Sequence, residues 1–314
     1  MTDVLVTGAA GFVGAALVHD ALGKGLTVAA LVRPGGDRWR LDAIRDRVAV
    51  HEVDLLDRPG IRHVLGVEKP SVVFHMAAHG AYSWQRDADA ILSTNVIGTA
   101  NLIAGAVEAG VGALLHAGSS SEYGLKDHAA QETETLAPNS VYAVGKVAAS
   151  HLIALAAGDL DLKCATARLY SVYGPWEAPE RLVPRLVVAA MNGTWPPLAA
   201  PSIARDFVYV DDVVGALWAL AECETALDGT AYNVCSGVQT TLSELVDEAR
   251  AAFRVTQDPQ WGDYAARSWD TSVWVGDPGR IAEITGWRAS VPVGEGMQTF
   301  ARWLSAGAGG LDRY

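Results

Sequence analysis

The sequence predicts an α/β chain built on a doubly wound parallel sheet, with a smaller lobe formed by its C-terminal part. Three observations predict it. Short, almost wholly apolar runs alternate with amphipathic stretches through residues 1–169, the pattern of strands covered on both faces by crossover helices. A glycine-rich turn joins the first such run to the first helical stretch. After Leu169 the rhythm changes, and Gly174-Pro175-Trp176, Trp195-Pro196-Pro197 and Asp277-Pro278-Gly279 punctuate shorter elements.

In chain order, Val4–Thr7, Thr27–Val32, Val48–Val53, Val72–Met76, Ala113–Ala117 and Lys163–Leu169 read as strands. Phe12–Leu22, Ala90–Ala109 and Val141–Ala157 read as helices between them. Right-handed crossovers then wind helices over both faces and leave the carboxyl edge of the sheet for ligands. The expected division gives residues 1–169 and about 206–235 to the main domain, and 170–205 and 236–314 to a substrate-binding lobe. Trp261, Trp269, Trp274, Trp287 and Trp303 crowd the late chain and are expected to form the core of that lobe. His75 and His116 lie within strands and read as core residues with satisfied nitrogens.

Composition narrows the partners. Of 314 residues, 50% are hydrophobic and 19% charged, which is globular rather than disordered. The net charge of −12, with no Lys/Arg run, argues against nucleic acid, while a few arginines could still hold a small anion. Cys164, Cys223 and Cys235 lack metal-ligand spacing, so no metal site is expected. No unbroken apolar run reaches the ~20 residues of a membrane span, and Val4-Leu5-Val6 follows the N-terminus without a basic leader. A cytoplasmic protein without a membrane partner is the expectation.

Thr7-Gly8-Ala9-Ala10-Gly11-Phe12-Val13-Gly14 has the strand–turn–helix setting of a dinucleotide site. Gly8 allows the tight turn, Gly11 the approach of a pyrophosphate, and Gly14 close packing of helix on strand. Phe12 and Val13 open the helix whose free N–H groups would face the phosphates. After the second strand stands Arg33 instead of the acid that accepts ribose hydroxyls of NAD, with Arg38 and Arg40 following. A guanidinium there suits a 2′-phosphate, so NADP(H) is the preferred cofactor; if Arg33 only stacks on adenine, NAD(H) serves. Asp54 and Leu55 after the third strand are expected beside the adenine, and Ala77 and Ala78 after the fourth beside the pyrophosphate and ribose.

Tyr142 and Lys146 stand four residues apart, on one helix face. A free phenol has a pKa near 10, and a neighbouring cation, with the positive nicotinamide of an oxidised cofactor, favours its phenolate. The run Ser119-Ser120-Ser121 ends the fifth strand, and Ser120 is expected to supply a hydroxyl beside the reacting carbonyl. The three groups together support proton and hydride chemistry.

These motifs resemble the extended short-chain dehydrogenase/reductase family, in its nucleotide-sugar branch. Further segments carry the likeness: Thr94-Asn95-Val96-Ile97-Gly98-Thr99, His116 to Gly124, Arg168-Leu169-Tyr170-Ser171-Val172-Tyr173-Gly174-Pro175, and Arg205-Asp206-Phe207-Val208-Tyr209-Val210-Asp211-Asp212. The resemblance implies a Rossmann-type sheet, Asn95 near the cofactor, and Lys146 on the nicotinamide ribose. It implies Arg205 on the substrate diphosphate, Arg267 and Asp270 on phosphate and ribose, and Val183 and Arg185 near the base. His79 and Tyr82 would face the sugar, with Ser121, Glu122 and Ser171 at its edge. A structural ion pair of Arg205 with Asp206 or Asp211 is the alternative for that arginine.

Two departures shape the expected activity. Sugar 4,6-dehydratases of the family carry Thr-Asp-Glu or a similar triplet; aligned on Glu122, this chain has Ser120-Ser121-Glu122 and lacks the aspartate. Ser171 replaces an asparagine common at the sugar's edge. The expectation is therefore an NADPH-dependent reductase of a nucleotide-diphosphate 4-keto-6-deoxy sugar, working as a homodimer. An NAD-dependent nucleotide-sugar 4-epimerase is the rival within the family, and a non-catalytic dinucleotide-binding or redox-sensing protein the rival outside it.

Overall fold

Strand β1 (Val4–Thr7) lies at the centre of a seven-stranded sheet with β2 (Val28–Val32), β3 (Ala49–Glu52), β4 (Val72–His75), β5 (Ala113–Ser119), β6 (Cys164–Leu169) and β9 (Asp228–Val234). The computed structural model describes residues 2–262, 271–307 and 314. The strands run parallel in the order β3-β2-β1-β4-β5-β6-β9, a Rossmann-type sheet. The chain turns back at β1, so β1 and β4 flank the topological switch where ligands enter such sheets.

Parallel strands buried on both faces must be apolar throughout, and β1 and β2 are buried along their whole lengths. Helices α1 (Phe12–Gly23) and α7 (Val210–Glu222) cover one face. Helices α2 (Arg58–Glu68), α4 (Gly98–Ala109) and α5 (Val141–Asp159) cover the other. The six strands and the helices at 12 and 141 read from sequence are present, with ends moved by a residue or two. The stretch expected as one helix from Ala90 instead starts as α3 (Ala88–Leu92), capped by Asp87, and passes through a π-helical turn at Ser93–Ile97 before α4. Ala88–Ala109 and Val141–Asp159 are long and apolar enough in composition to cross a bilayer, although neither is an unbroken apolar run. Here they lie on the sheet, 50% and 39% buried.

Strand β8 (Ala204–Tyr209) pairs with β7 (Ser171–Tyr173) in parallel and β10 (Gln239–Thr241) in antiparallel, forming a second sheet. Residues 206–209, expected with the main domain, therefore belong to this small sheet. Helices α6 (Leu182–Met191), α8 (Leu242–Phe253) and α10 (Val293–Ser305) pack on it around Tyr173, Leu186, Leu245 and Phe300. Helix α9 (Gly279–Thr285) lies near β9. The late tryptophans do not share one core. Trp303 packs edge-on to Trp176 at 4.8 Å, the Trp287 indole donates to the Asp212 carbonyl at 3.0 Å, and Trp274 turns toward Ser120. Trp269, Arg267 and Asp270 lie outside the described residues.

The glycine turn owes its shape to two contacts. Gly8 has φ +64°, and a Cβ on it would stand 2.7 Å from the Ala77 backbone. A Cβ on Gly14 would stand 2.3 Å from the Gly8 carbonyl oxygen, so α1 can approach the turn only without one. Gly23, in the same helix, has open space around it. Gly14→Ala is expected to destabilise the chain by at least ~2 kcal/mol in urea melts, whereas Gly23→Ala is expected to be neutral or stabilising by up to ~1 kcal/mol.

Candidate active site

At the N-terminus of α1, Gly11 is the extended N-cap and offers no side chain to the first turn. Its N–H donates to the Gly8 carbonyl at 2.8 Å, and the N–H groups of Phe12 and Val13 begin the helix with the positive end of its dipole. Ala77 closes the other wall, its N–H 3.3 Å from Thr7 Oγ1, with Ala78 exposed beside it. A bare-backbone cradle at a helix N-terminus fits the diphosphate of a dinucleotide. Leu55 is buried against Gly98, and Asp54 accepts from the Leu56 N–H at 2.9 Å, holding the turn after β3.

The arginines after β2 separate into three roles. Arg33 is exposed at the strand's end. Arg38, expected to join it, is engaged by Glu52 at 2.7 Å across to β3. Arg40 is buried and bridges the chain: Nε donates to the Trp176 carbonyl at 2.7 Å and Nη1 to the Ala10 carbonyl at 3.1 Å. That strap ties the glycine turn to the loop after β7, and no spacing motif announces it.

Helix α5 starts at Ser140, whose hydroxyl accepts from the Ala143 N–H at 3.2 Å. This sets Tyr142 and Lys146 on the face toward β5. Lys146 is buried and donates to the Ala117 carbonyl at 2.7 Å; burial pushes its pKa down to about 8. Burial pushes Tyr142 up to about 12, while a hydrogen bond to the Ser119 side chain and the charge of Arg181 pull it back.

Ser119, not Ser120, is thus the serine whose hydroxyl favours the Tyr142 phenolate. The reason is local. Ser119 ends β5 and caps a 3-10 turn at Ser120–Tyr123, with the Glu122 carboxylate returning to the Ser119 N–H at 2.8 Å. The turn carries Ser120 away, where it is buried and accepts from the Trp274 indole at 3.1 Å. Ser121 remains beside Ser119, their hydroxyl oxygens 2.8 Å apart. The Ser-x-x-Glu pattern is itself a capping-box signature, and it was the available signal for Ser119.

Glu122, expected at the sugar's edge, points into the protein. It has no exposed surface and accepts from Arg168 Nε at 2.9 Å and from Ser150 at 3.0 Å. Such a carboxylate has a structural role. Asn95 is also committed within the protein: its amide accepts from the His79 N–H and donates to the His79 carbonyl, both at 2.8 Å. The π turn presents this amide, which holds the His79 loop in place.

On the substrate side, Tyr82 stacks on Trp84 at 4.6 Å, and the Arg181 guanidinium stands 5.4 Å over its ring. Ser171 opens β7 half-buried, and Val183 is buried in α6, the helix that also carries Arg185. Arg205 donates to the Ala204 carbonyl at 2.7 Å and lies 5.4 Å over the Trp274 ring. Its neighbour Asp206 is fully buried and accepts from Ser236, Gly237 and Gly276. Arg181 is the participant that sequence reasoning does not name, while Arg40, Trp274 and Ser119 are named there in other roles.

Comparison with known proteins agrees with this geometry. A family model described as NAD dependent epimerase/dehydratase family matches residues 4–235. A dTDP-glucose 4,6-dehydratase of Streptomyces griseus is 32% identical, over 96% of this chain and 94% of its own. A UDP-glucose 4-epimerase of Mycolicibacterium smegmatis is 32% identical, over 93% and 95%. The solved UDP-glucose 4-epimerase of Thermus thermophilus, in complex with NAD, superposes with a TM-score of 0.83 at 29% identity, covering 96% of this chain and 98% of that one. With an intact glycine cradle and a Tyr142–Lys146 pair on the expected helix face, the chain belongs to the NAD dependent epimerase/dehydratase family of nucleotide-sugar enzymes.

Proposed function

We propose that the chain epimerises a nucleotide-diphosphate sugar at C4, using NAD(H) held through the reaction. The run of hydroxyls at the end of β5 carries this reading, because the one carboxylate beside it, Glu122, is turned inward onto Arg168. Removing water from a sugar needs an acid and a base at C5 and C6 besides the redox pair. Ser119, Ser120 and Ser121 are hydroxyls, and Glu122 is paired inside with Arg168. Tyr142 then takes the proton from the C4 hydroxyl, and Ser119 orients that oxygen. Lys146, charged below about pH 8, favours the phenolate and would hold the nicotinamide ribose. The dinucleotide supplies the hydride acceptor and donor. Arg205, on β8 of the small sheet, holds the nucleotide diphosphate. The engagement of Arg38 by Glu52 and the NAD bound to the solved epimerase favour NAD.

Exposed Arg33 favours a second reading, the NADPH-dependent reduction of a nucleotide-linked 4-keto-6-deoxy sugar. The two are separated by supplying purified protein with intact UDP- and dTDP-hexoses and, separately, with NADPH and 4-keto-6-deoxy sugars. Conversion to the C4 epimer with no net change in nicotinamide absorbance supports epimerisation. Stoichiometric loss of NADPH, abolished in Arg33→Ala, would replace it with the reductase.

Under either reading Tyr142→Phe is expected to lower kcat by about 10²–10⁴-fold. Ser119→Ala should cost about 10²-fold and Ser120→Ala less than about threefold; a larger loss in Ser120→Ala would restore that serine to the reacting position. The rate should fall as pH rises through about 8, where Lys146 loses its proton.

We also propose a homodimer through α3–α4 and α5, where Ile97, Val107, Val144 and Leu155 are between 38% and 56% exposed on neighbouring helices. Light scattering should give twice the chain mass at micromolar concentration, reverting to one in Val144→Glu/Leu155→Glu. A monomeric unaltered chain would refute the dimer.

A further inference from the structure

Four polar side chains stand in register across the middle of the main sheet: Thr7 on β1, His75 on β4, His116 on β5 and Thr166 on β6. Register partners on parallel strands share a face, and His75 reaches Thr99 of α4, so this is the face under α4 and α5. The row two residues earlier, Leu5, Val73, Leu114 and Cys164, is apolar and packs in the core. Each member of the polar row is at most 1% exposed.

A buried hydroxyl or ring nitrogen without a partner costs about 1–3 kcal/mol. One half of the row meets this demand: His75 Nδ1 pairs with Thr7 Oγ1 at 2.7 Å and Nε2 with Thr99 Oγ1 at 2.9 Å. The other half does not. Both nitrogens of His116 and the hydroxyl of Thr166 lack a hydrogen-bond partner among the described residues, contrary to the reading of His116 as a satisfied core histidine. These atoms belong to register neighbours, and Lys146 stands close by. Its ammonium donates to Ala117, the residue after His116, and burial holds the pKa of both imidazoles down with the lysine charge adding to it.

We propose that His116 and Thr166 form an internal site for one water that accepts a hydrogen bond from the Lys146 ammonium and donates its own two to a bare nitrogen of His116 and to Thr166 Oγ1. Three hydrogen bonds are what a buried water ordinarily makes. The inference rests on Lys146 being half of the catalytic pair, which makes His116 and Thr166 positioning residues acting through it. The groups facing Lys146 are Tyr142 on its own helix, His75 on β4, His116 on β5 and Glu122 in the turn after β5. Glu122 is already shared with Arg168 of β6, and His75 is satisfied by two threonines, so the His116–Thr166 site is the adjustable support of the ammonium.

The test labels the five lysines with ¹³C at Cε and follows them by NMR titration, assigning Lys146 by its loss in Lys146→Arg. In the unaltered chain it should titrate near pH 8. In Thr166→Val and in His116→Leu its titration should move to lower pH, the charged fraction at pH 8 falling about threefold. The alkaline limb of kcat should move with it. An unchanged Lys146 titration in Thr166→Val, which keeps the side chain's shape and does not depend on His116→Leu folding, overturns the proposal. Absence of turnover on every nucleotide sugar would instead count against the proposed activity, since the lysine titration needs no substrate.

Discussion

A carboxylate with no contact to water fixes where the end of β5 stands against the tyrosine–lysine helix. Glu122 can be buried only because three donors surround it: the Ser119 N–H, Ser150 on α5 and Arg168 on β6. Each donor sits on a different element, so satisfying one charge aligns the end of β5, the middle of α5 and the neighbouring strand. Arg168 extends the tie through the Tyr123 hydroxyl to Asn233 on β9, which holds the carbonyls of Ala130 and Asp277. Breaking such a pair leaves a buried charge alone, at about 3–5 kcal/mol. The position of Ser119 against Tyr142 follows from this network rather than from the serines themselves.

Arg40 exerts a second constraint, on the two halves of the cleft. Its guanidinium spans the carbonyl of Ala10 in the cofactor turn and that of Trp176 in the loop entering the small lobe. Trp176 adopts φ +74°, unusual for a bulky residue, and stacks on His19 of α1 at 4.5 Å. The loop after β7 is therefore anchored on the cofactor side of the molecule.

The sheet and the glycine turn were legible because they obey short-range rules. Apolar runs of strand length and three glycines at fixed offsets are properties of contiguous residues, and strands from β1 to β6 stand where those rules put them. The tyrosine and lysine were legible for the same reason, being one helical turn apart. What escaped depends on contacts distant in sequence. Ser119 and Ser120 are identical in kind, and only the capping turn and the Trp274 indole, 154 residues later, decide which faces Tyr142. Arg38 and Arg40 read alike until Glu52 and the Trp176 carbonyl separate them. Asn95 and Glu122 were marked as part of the site, but their side chains serve the scaffold.

The capping turn also bears on how such a chain could diverge. Ser121 stands in that turn with its hydroxyl 2.8 Å from that of Ser119. A hydroxyl has one proton to give. A carboxylate grafted at 121 would draw the Ser119 proton toward itself, leaving the Tyr142 oxygen without that donor. Glu122 cannot be recruited in its place without releasing Arg168 and Ser150. Ser120 cannot take over from Ser119 while the Trp274 indole holds it. Bringing a different side chain to the end of β5 therefore requires coordinated replacement in the turn and in the distant segment around Trp274. The constraint lies in the scaffold's wiring more than in the tyrosine–lysine pair itself.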